Sequence, residues 1–298
     1  MAVKRILTAK ASVGMTLAED IYTSDDTLLV SAGSVITEEM LKAFNDYSIF
    51  AIRIQEGEEP SGDDADREER TYFDQVRESE VFQEFQHSVE TTAEHLQEEL
   101  NAVIVHSKAI DMEFLISDMN AIISKSRNEF HILDMLHCMR GYSDTTYIHS
   151  INVALLSNTL GRLSMQEMSE ERLNLLTMAG LLHDVGKMMI PEEIMGKRGR
   201  LTIPEYNIAK SHTLHGQTIL KQAGMPEEIV EVALRHHERC DGSGYPGGYM
   251  WPRISEFARI VAIADVYDAM TSRRVYRDAI CPFKVIEYFE KDSLAQFE

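Results

Sequence analysis

From Asp144 onward the chain reads as one helical run after another, with almost no strand alternation, and ionisable residues are set inside the apolar runs. Six of the eleven histidines fall between residues 149 and 237. Their neighbours are specific: His149-Ser150, His183-Asp184, His212, and His236-His237-Glu238. His183-Asp184 follows the apolar Gly180-Leu181-Leu182, and Asp265 ends the apolar stretch Ile260-Val261-Ala262-Ile263-Ala264. Burying an imidazole or a carboxylate without a partner is costly. A helical bundle therefore accepts these residues only if something replaces their hydration, and a cation does so. Taken singly, each histidine reads as an ordinary core or surface residue; the joint set is what points to metal. Imidazole and carboxylate ligands without thiolates suit iron, manganese or zinc. Five histidines and two aspartates exceed what one ion takes and suit two ions sharing a carboxylate. Gly and Pro cluster at 196–204 and 242–252, which should be loops over the bundle.

The chain has 298 residues, enough for two domains, or for one with an appendage. Its formal charge is -20, from 29 basic and 49 acidic residues. Residues 56–100 alone hold 3 basic against 16 acidic side chains, net -13. This balance argues against nonspecific binding to nucleic acid, DNA included, or to an anionic membrane, since both need a basic face. Between Gly186 and Arg277 the count is 13 basic against 11 acidic, so an anionic small molecule is not excluded. Cys138, Cys240 and Cys281 lack any C-x-x-C spacing and read as unpaired thiols of a reducing cytoplasm. No stretch approaches the ~18 uncharged apolar residues of a membrane span. The N-terminus lacks the apolar core and cleavage site of a signal peptide, so the expected location is cytoplasmic.

Four regions are expected. Residues 1–55 form a small α/β module of unknown role: Leu28–Val30 and Ile49–Ile54 read as strands, and Thr37 caps a helix running to Phe44. Asp25-Asp26 reads as a turn. Residues 56–66 are an acidic linker with Pro, Gly and Ser. Residues 67–140 are a helical connector. In it Phe73, Val76, Phe82, Phe85, Val89, Ala93, Leu96, Leu100 and Val103 recur at mostly three- and four-residue steps. A helix of roughly 35 residues with such a stripe is hard to bury in a small core, which suggests a homodimer. Helical patterns follow at Met112–Ser126 and Phe130–Met139. Residues 141–298 form the fourth region, which carries the histidines.

The ordered set of motifs in that region resembles the HD-GYP family of the HD phosphohydrolase superfamily. The matching segments are His183-Asp184-Val185-Gly186-Lys187, Lys197–Thr202, His212–Gly216, His236–Pro246 and Ala258–Arg277. The resemblance covers roughly residues 140–290. A weaker one, at Gly14–Gly33, is to a small module found N-terminal to such domains. The fold it implies is mainly α: a helical HD-type bundle holding a metal centre, with a small β-containing N-terminal module. The activity it implies is hydrolysis of cyclic di-GMP, and in some members of 3′,3′-cyclic GMP-AMP. The product would be the linear dinucleotide or GMP, with a bridging metal-bound hydroxide as nucleophile. By position, His149, His183 and Asp265 would hold one ion, His212, His236 and His237 the other, and Asp184 would bridge them. Iron or manganese is the expected metal.

The resemblance also implies roles around the metals. Lys187, with Asp184 the expected catalytic pair, would bind phosphate, and Arg274 and Arg277 would grip the second phosphate or a guanine. Tyr245 would shape the substrate pocket within a rigid Gly-Tyr-Pro loop. His215 matches no family ligand. Some members hold a third metal through a Glu four residues before the first His ligand. That position is Thr145 here, so two metals are expected. The family pattern continues into a further helix beyond Glu298. Two other readings stay open at this level: an HD phosphohydrolase of another phosphate ester, and a dinucleotide sensor or adaptor without turnover.

Overall fold

The computed structural model describes residues 3–8, 11–22, 28–47, 49, 51–55, 76–139, 145–164, 168–197, 199–272, 280–291 and 293–297. The chain divides into two compact units, Met1–Ser79 and Glu80–Glu298.

The first unit runs β1 (Val3–Leu7), β2 (Ile21–Tyr22), β3 (Leu28–Val30), α1 (Glu38–Asp46) and β4 (Ala51–Gln55). β1 pairs antiparallel with β4, with Ile6 opposite Ile52, and β2 pairs antiparallel with β3. The Ile-Arg-Ile alternation of β4 sends Ile52 and Ile54 inward, while Arg53 faces out to Glu19 at 3.1 Å. Leu17, Ile21, Ile36 and Phe44 complete this small core. Thr37 Oγ1 accepts the Met40 amide at 3.2 Å, which starts α1 where the sequence places it. β1 was not foreseen, because Lys4-Arg5 interrupts its apolar pattern. Asp25-Asp26, the acidic run 56–66 and Phe73 lie outside the described residues.

The second unit is helical. It comprises α2 (Glu80–His106), α3 (Met112–Ile123), α4 (Glu129–Met139), α5 (Thr146–Leu163), α6 (Glu170–Leu182) and a 3-10 turn (Val185–Met189). Then follow α7 (Glu192–Met195), α8 (Ile203–Lys210), α9 (His212–Gln222), α10 (Glu227–Arg235), α11 (Glu256–Thr271), α12 (Pro282–Lys291) and α13 (Leu294–Phe297). α5 is the axis of the bundle, buried on nearly every face from Ile148 to Gly161, and it packs against α6 and α11. Side-chain caps begin the helices that frame it: Thr145 for α5, Ser169 for α6, Ser255 for α11, and a Thr202–Glu205 capping box for α8.

α2 is 27 residues long and ends the connector expectation differently. Its stripe, Phe82, Phe85, Val89, Leu96, Leu100 and Val103, is buried against α3, α4 and α5. The stripe is thus covered within the chain and is not a face left for a second copy. Among the described residues, no helix is long and apolar enough to cross a membrane. Cys138 and Cys240 are buried and Cys281 is exposed, with no disulfide between them.

Candidate metal centre

Helix ends build the site. His183 is the C-cap of α6, and Asp184 next to it opens the 3-10 turn that carries Lys187. His212 is the first residue of α9. His236 caps the C-terminus of α10, with His237 beside it. His149 lies one turn into α5 and Asp265 near the middle of α11. The 3-10 turn is pressed onto α9 at Gly186, where a Cβ would meet the His212 carbonyl oxygen at 1.9 Å. Only glycine allows that approach, which brings Asp184 to His212.

Asp184 is the centre of the cluster and is buried. Its Oδ2 faces His183 Nε2 at 3.1 Å and His149 Nε2 at 3.6 Å. Its Oδ1 faces His212 Nε2 at 3.4 Å and His236 Nε2 at 3.7 Å. Two donor groups result, His149–His183–Asp184 and Asp184–His212–His236–His237, with Asp184 in both. Asp265 closes the rim, with Oδ1 3.2 Å from His149 Nε2 and Oδ2 3.8 Å from His237 Nδ1.

The ring tautomers decide whether a cation fits. His183, His212 and His236 donate Nδ1–H to the carbonyls of Gly180, Ala209 and Val232 at 2.7, 2.8 and 3.0 Å. Their Nε2 lone pairs are therefore bare and turned inward. His212 Nε2 and His236 Nε2 stand 3.4 Å apart, two acceptors that repel unless a cation lies between them. His149 Nε2, His183 Nε2 and Asp184 Oδ1 are buried without a hydrogen-bond partner. Such orphaned atoms are costly, and here they converge. The residues fit a metal.

Electrostatics agree for the His212, His236 and His237 side, whereas His149 would give up a proton to bind an ion. Burial pushes His212 down, His236 well down, and His237 to about 3, so these rings are neutral donors. For Asp184 burial pushes upward, but His183 and Lys187 outweigh it and hold the carboxyl well below its usual range. For Asp265 burial also pushes upward, and His149 and His237 prevail. Burial works to lower His149, yet Asp265 and Asp268 hold it up at about 9.

Around this core, Lys187 Nζ donates a hydrogen bond to Asp184 Oδ2. Tyr245 stacks on His237 with ring centroids 4.7 Å apart, and the Lys210 ammonium lies 5.5 Å from its ring centre. Thr145 spends its hydroxyl on the Ile148 amide as the α5 cap. His215 lines a separate cavity between α2 and α9 with Val103, Lys108 and Met189. Arg274 and Arg277 lie outside the described residues.

Four residues to which sequence reasoning assigned no role of their own belong here: Glu238, Gly244, Asp268 and Asn152. Glu238, buried, accepts the amides of Gly247 at 2.6 Å and Tyr249 at 2.9 Å. It thereby pins the loop that carries Tyr245. Gly244 in that loop lies so close to the His237–Arg239 backbone that a Cβ would come within 2.5 Å of three of its atoms. Asp268 accepts His149 Nδ1–H at 2.7 Å and the Asn152 amide at 3.1 Å. Adjacency to the histidine pair was a usable signal for Glu238. For Asp268 and Asn152 it was the three-residue spacing from Asp265 and His149.

A family model described as HD domain matches residues 132–297. The chain is 38% identical over 164 residues to a cyclic di-GMP phosphodiesterase of Pseudomonas aeruginosa, covering 55% of this chain and 38% of that protein. It is 42% identical over 153 residues to a cyclic di-GMP phosphodiesterase of Thermotoga maritima, covering 50% and 41%. The chain thus spans less than half the length of these curated relatives. A solved structure, Bd1817, a HDG"Y"P protein from Bdellovibrio bacteriovorus, aligns over 100% of this chain and 96% of its own, with a TM-score of 0.52 at 16% identity, a likeness of fold.

Proposed function

The chain belongs to the HD domain family and carries the HD-GYP signature, and from that premise we propose that it is a metal-dependent phosphodiesterase that hydrolyses a cyclic dinucleotide, cyclic di-GMP in the first place. One observation carries the reading. Asp184 turns its two oxygens to two separate groups of imidazole nitrogens, the arrangement two ions sharing one carboxylate require. In this reading residues 141–298 are the phosphodiesterase domain and residues 1–55 a separate module.

His149, His183 and Asp265 would hold one ion and His212, His236 and His237 the other, with Asp184 between them. Iron or manganese suits this oxygen and nitrogen set. When bound, such ions lower the pKa of a coordinated water to near neutrality and offset phosphate charge. Hydrolysis then adds water across one P–O bond, the hydroxyl to phosphorus and the proton to the departing ribose oxygen. Lys187, tied to Asp184, presents an ammonium to the phosphate oxygens. Tyr245, stacked on His237, would keep that ring in place.

Anaerobic purification, metal analysis and product chromatography with cyclic di-GMP and 3′,3′-cyclic GMP-AMP test the proposal. The expected result is two ions per chain and a linear dinucleotide or GMP. Dinucleotide binding without turnover in the iron- or manganese-loaded protein would show a sensor instead.

A further inference from the structure

Asp268 is 5% exposed and sits one turn after Asp265 on α11. Its Oδ2 accepts His149 Nδ1–H at 2.7 Å. Its Oδ1 accepts the Asn152 amide at 3.1 Å and the Ser272 hydroxyl at 3.4 Å. Asn152 is buried and lies one turn after His149 on α5. Two residues three apart on one helix thus grip two residues three apart on the other. The result is one imidazole bracketed by two carboxylates of α11, Asp268 at Nδ1 and Asp265 3.2 Å from Nε2.

Among the described residues no other ring of the cluster donates Nδ1–H to a carboxylate: His237 Nδ1 stands 3.8 Å from Asp265 Oδ2, beyond hydrogen-bond reach. His183, His212 and His236 lean on carbonyls three or four residues earlier in their own stretch of chain. A carbonyl is a neutral acceptor whose position the backbone fixes. A carboxylate carries a full charge. Accepting Nδ1–H, it locks the tautomer, orients the ring and makes Nε2 the stronger donor.

We propose that Asp268, anchored by Asn152, is a positioning residue that strengthens the ion site on the His149 side of Asp184 and leaves the His212–His236–His237 side unchanged. This rests on the metal-binding part of the proposed function, not on its substrate, and adds that the two halves of the centre are unequal.

The test uses the full chain labelled with 15N-histidine and Zn²⁺ as a diamagnetic probe. Ions retained per chain are counted against chelator-buffered Zn²⁺. Asp268→Asn keeps an acceptor oxygen and removes the charge. It should weaken one of the two ions by about 10–100-fold and leave the other within about twofold. In the loaded wild type, the His149 Nδ1–H proton should resonate furthest downfield of the ring protons, identified by its absence in His149→Ala. Asp268→Asn should move it upfield and leave the other rings in place. Asn152→Ala, which keeps the carboxylate and loses its anchor, should move it the same way by less, and decides the matter if Asp268→Asn does not fold. Equal weakening of both ions, or unchanged affinity with an unmoved resonance, overturns the proposal. A chain that shows this metal pattern yet leaves cyclic dinucleotides intact refutes the hydrolytic reading and not this one.

Discussion

Asp184 is the residue on which both halves of the centre depend, since each of its oxygens serves one group of imidazoles. Asp184→Ala should therefore abolish loading of both ions, and hydrolysis with them. Metal analysis showing one ion retained would refute the bridging role. Lys187 bonds the bridging carboxylate but is itself in neither donor group, and a metal ion would supply the positive charge that it gives Asp184. Lys187→Met should keep both ions and lower kcat by about 10²–10³, the cost of removing one charge-stabilising donor. Metal analysis beside steady-state kinetics checks both halves of that statement. The imidazoles were legible in the sequence because they interrupt apolar helix, where an ionisable group needs a reason. For Asp268 only the spacing from Asp265 was visible; its role was not, because its partner lies 119 residues away at His149 and meets it only once α5 and α11 are packed. Glu238 was quoted within its motif without a role: its place beside the histidine pair was visible, but its partners are backbone amides.

At the scale of elements, the caps were readable and the packing was not. Thr37 starts α1 where the pattern places it. The apolar stripe of α2 was also readable, but a stripe states only that something covers it. Here α3, α4 and α5 do. Leu96→Ala, at a fully buried position, should cost ~2–5 kcal/mol of stability in denaturant unfolding and leave the sedimentation coefficient of the native protein unchanged. A change of oligomeric state instead would place that stripe in a dimer. The α8 capping box gives a pH signature. Glu205 is held down at about 2 by Lys197 first, then by the Thr202 amide and hydroxyl. A carboxyl lowered in the folded state stabilises fully above its ordinary value of 4.5 and less as pH falls toward 2. The stability gap between wild type and Glu205→Ala should therefore narrow steadily as pH falls below 4.5. A gap that stays constant down to pH 2 would mean the box acts without charge.

Across the whole molecule, charge and cohesion are distributed differently. The net -20 is badly suited to an anionic substrate only if it is averaged over the chain. The 56–100 segment carries net -13, while Gly186–Arg277 is net +2 before any cation is added. Bound ions would make the pocket more positive still. Cohesion is split as well: the first unit has its own core of Leu17, Ile21, Ile36, Phe44, Ile52 and Ile54, and none of these is a donor of the metal centre. A ligand stabilises only the structure that binds it, by about 2.7 kcal/mol at a concentration 100 times its Kd. Adding Mn²⁺ to the metal-free chain should therefore raise the unfolding transition of the 80–298 unit and leave that of the small unit where it was. Calorimetry with and without Mn²⁺ reads this directly. Burial of the metal centre in the larger unit accounts for the first shift, and a separate core accounts for the absence of the second. A common shift of both transitions would mean that the two units unfold as one cooperative body, and that the small module is energetically part of the larger unit.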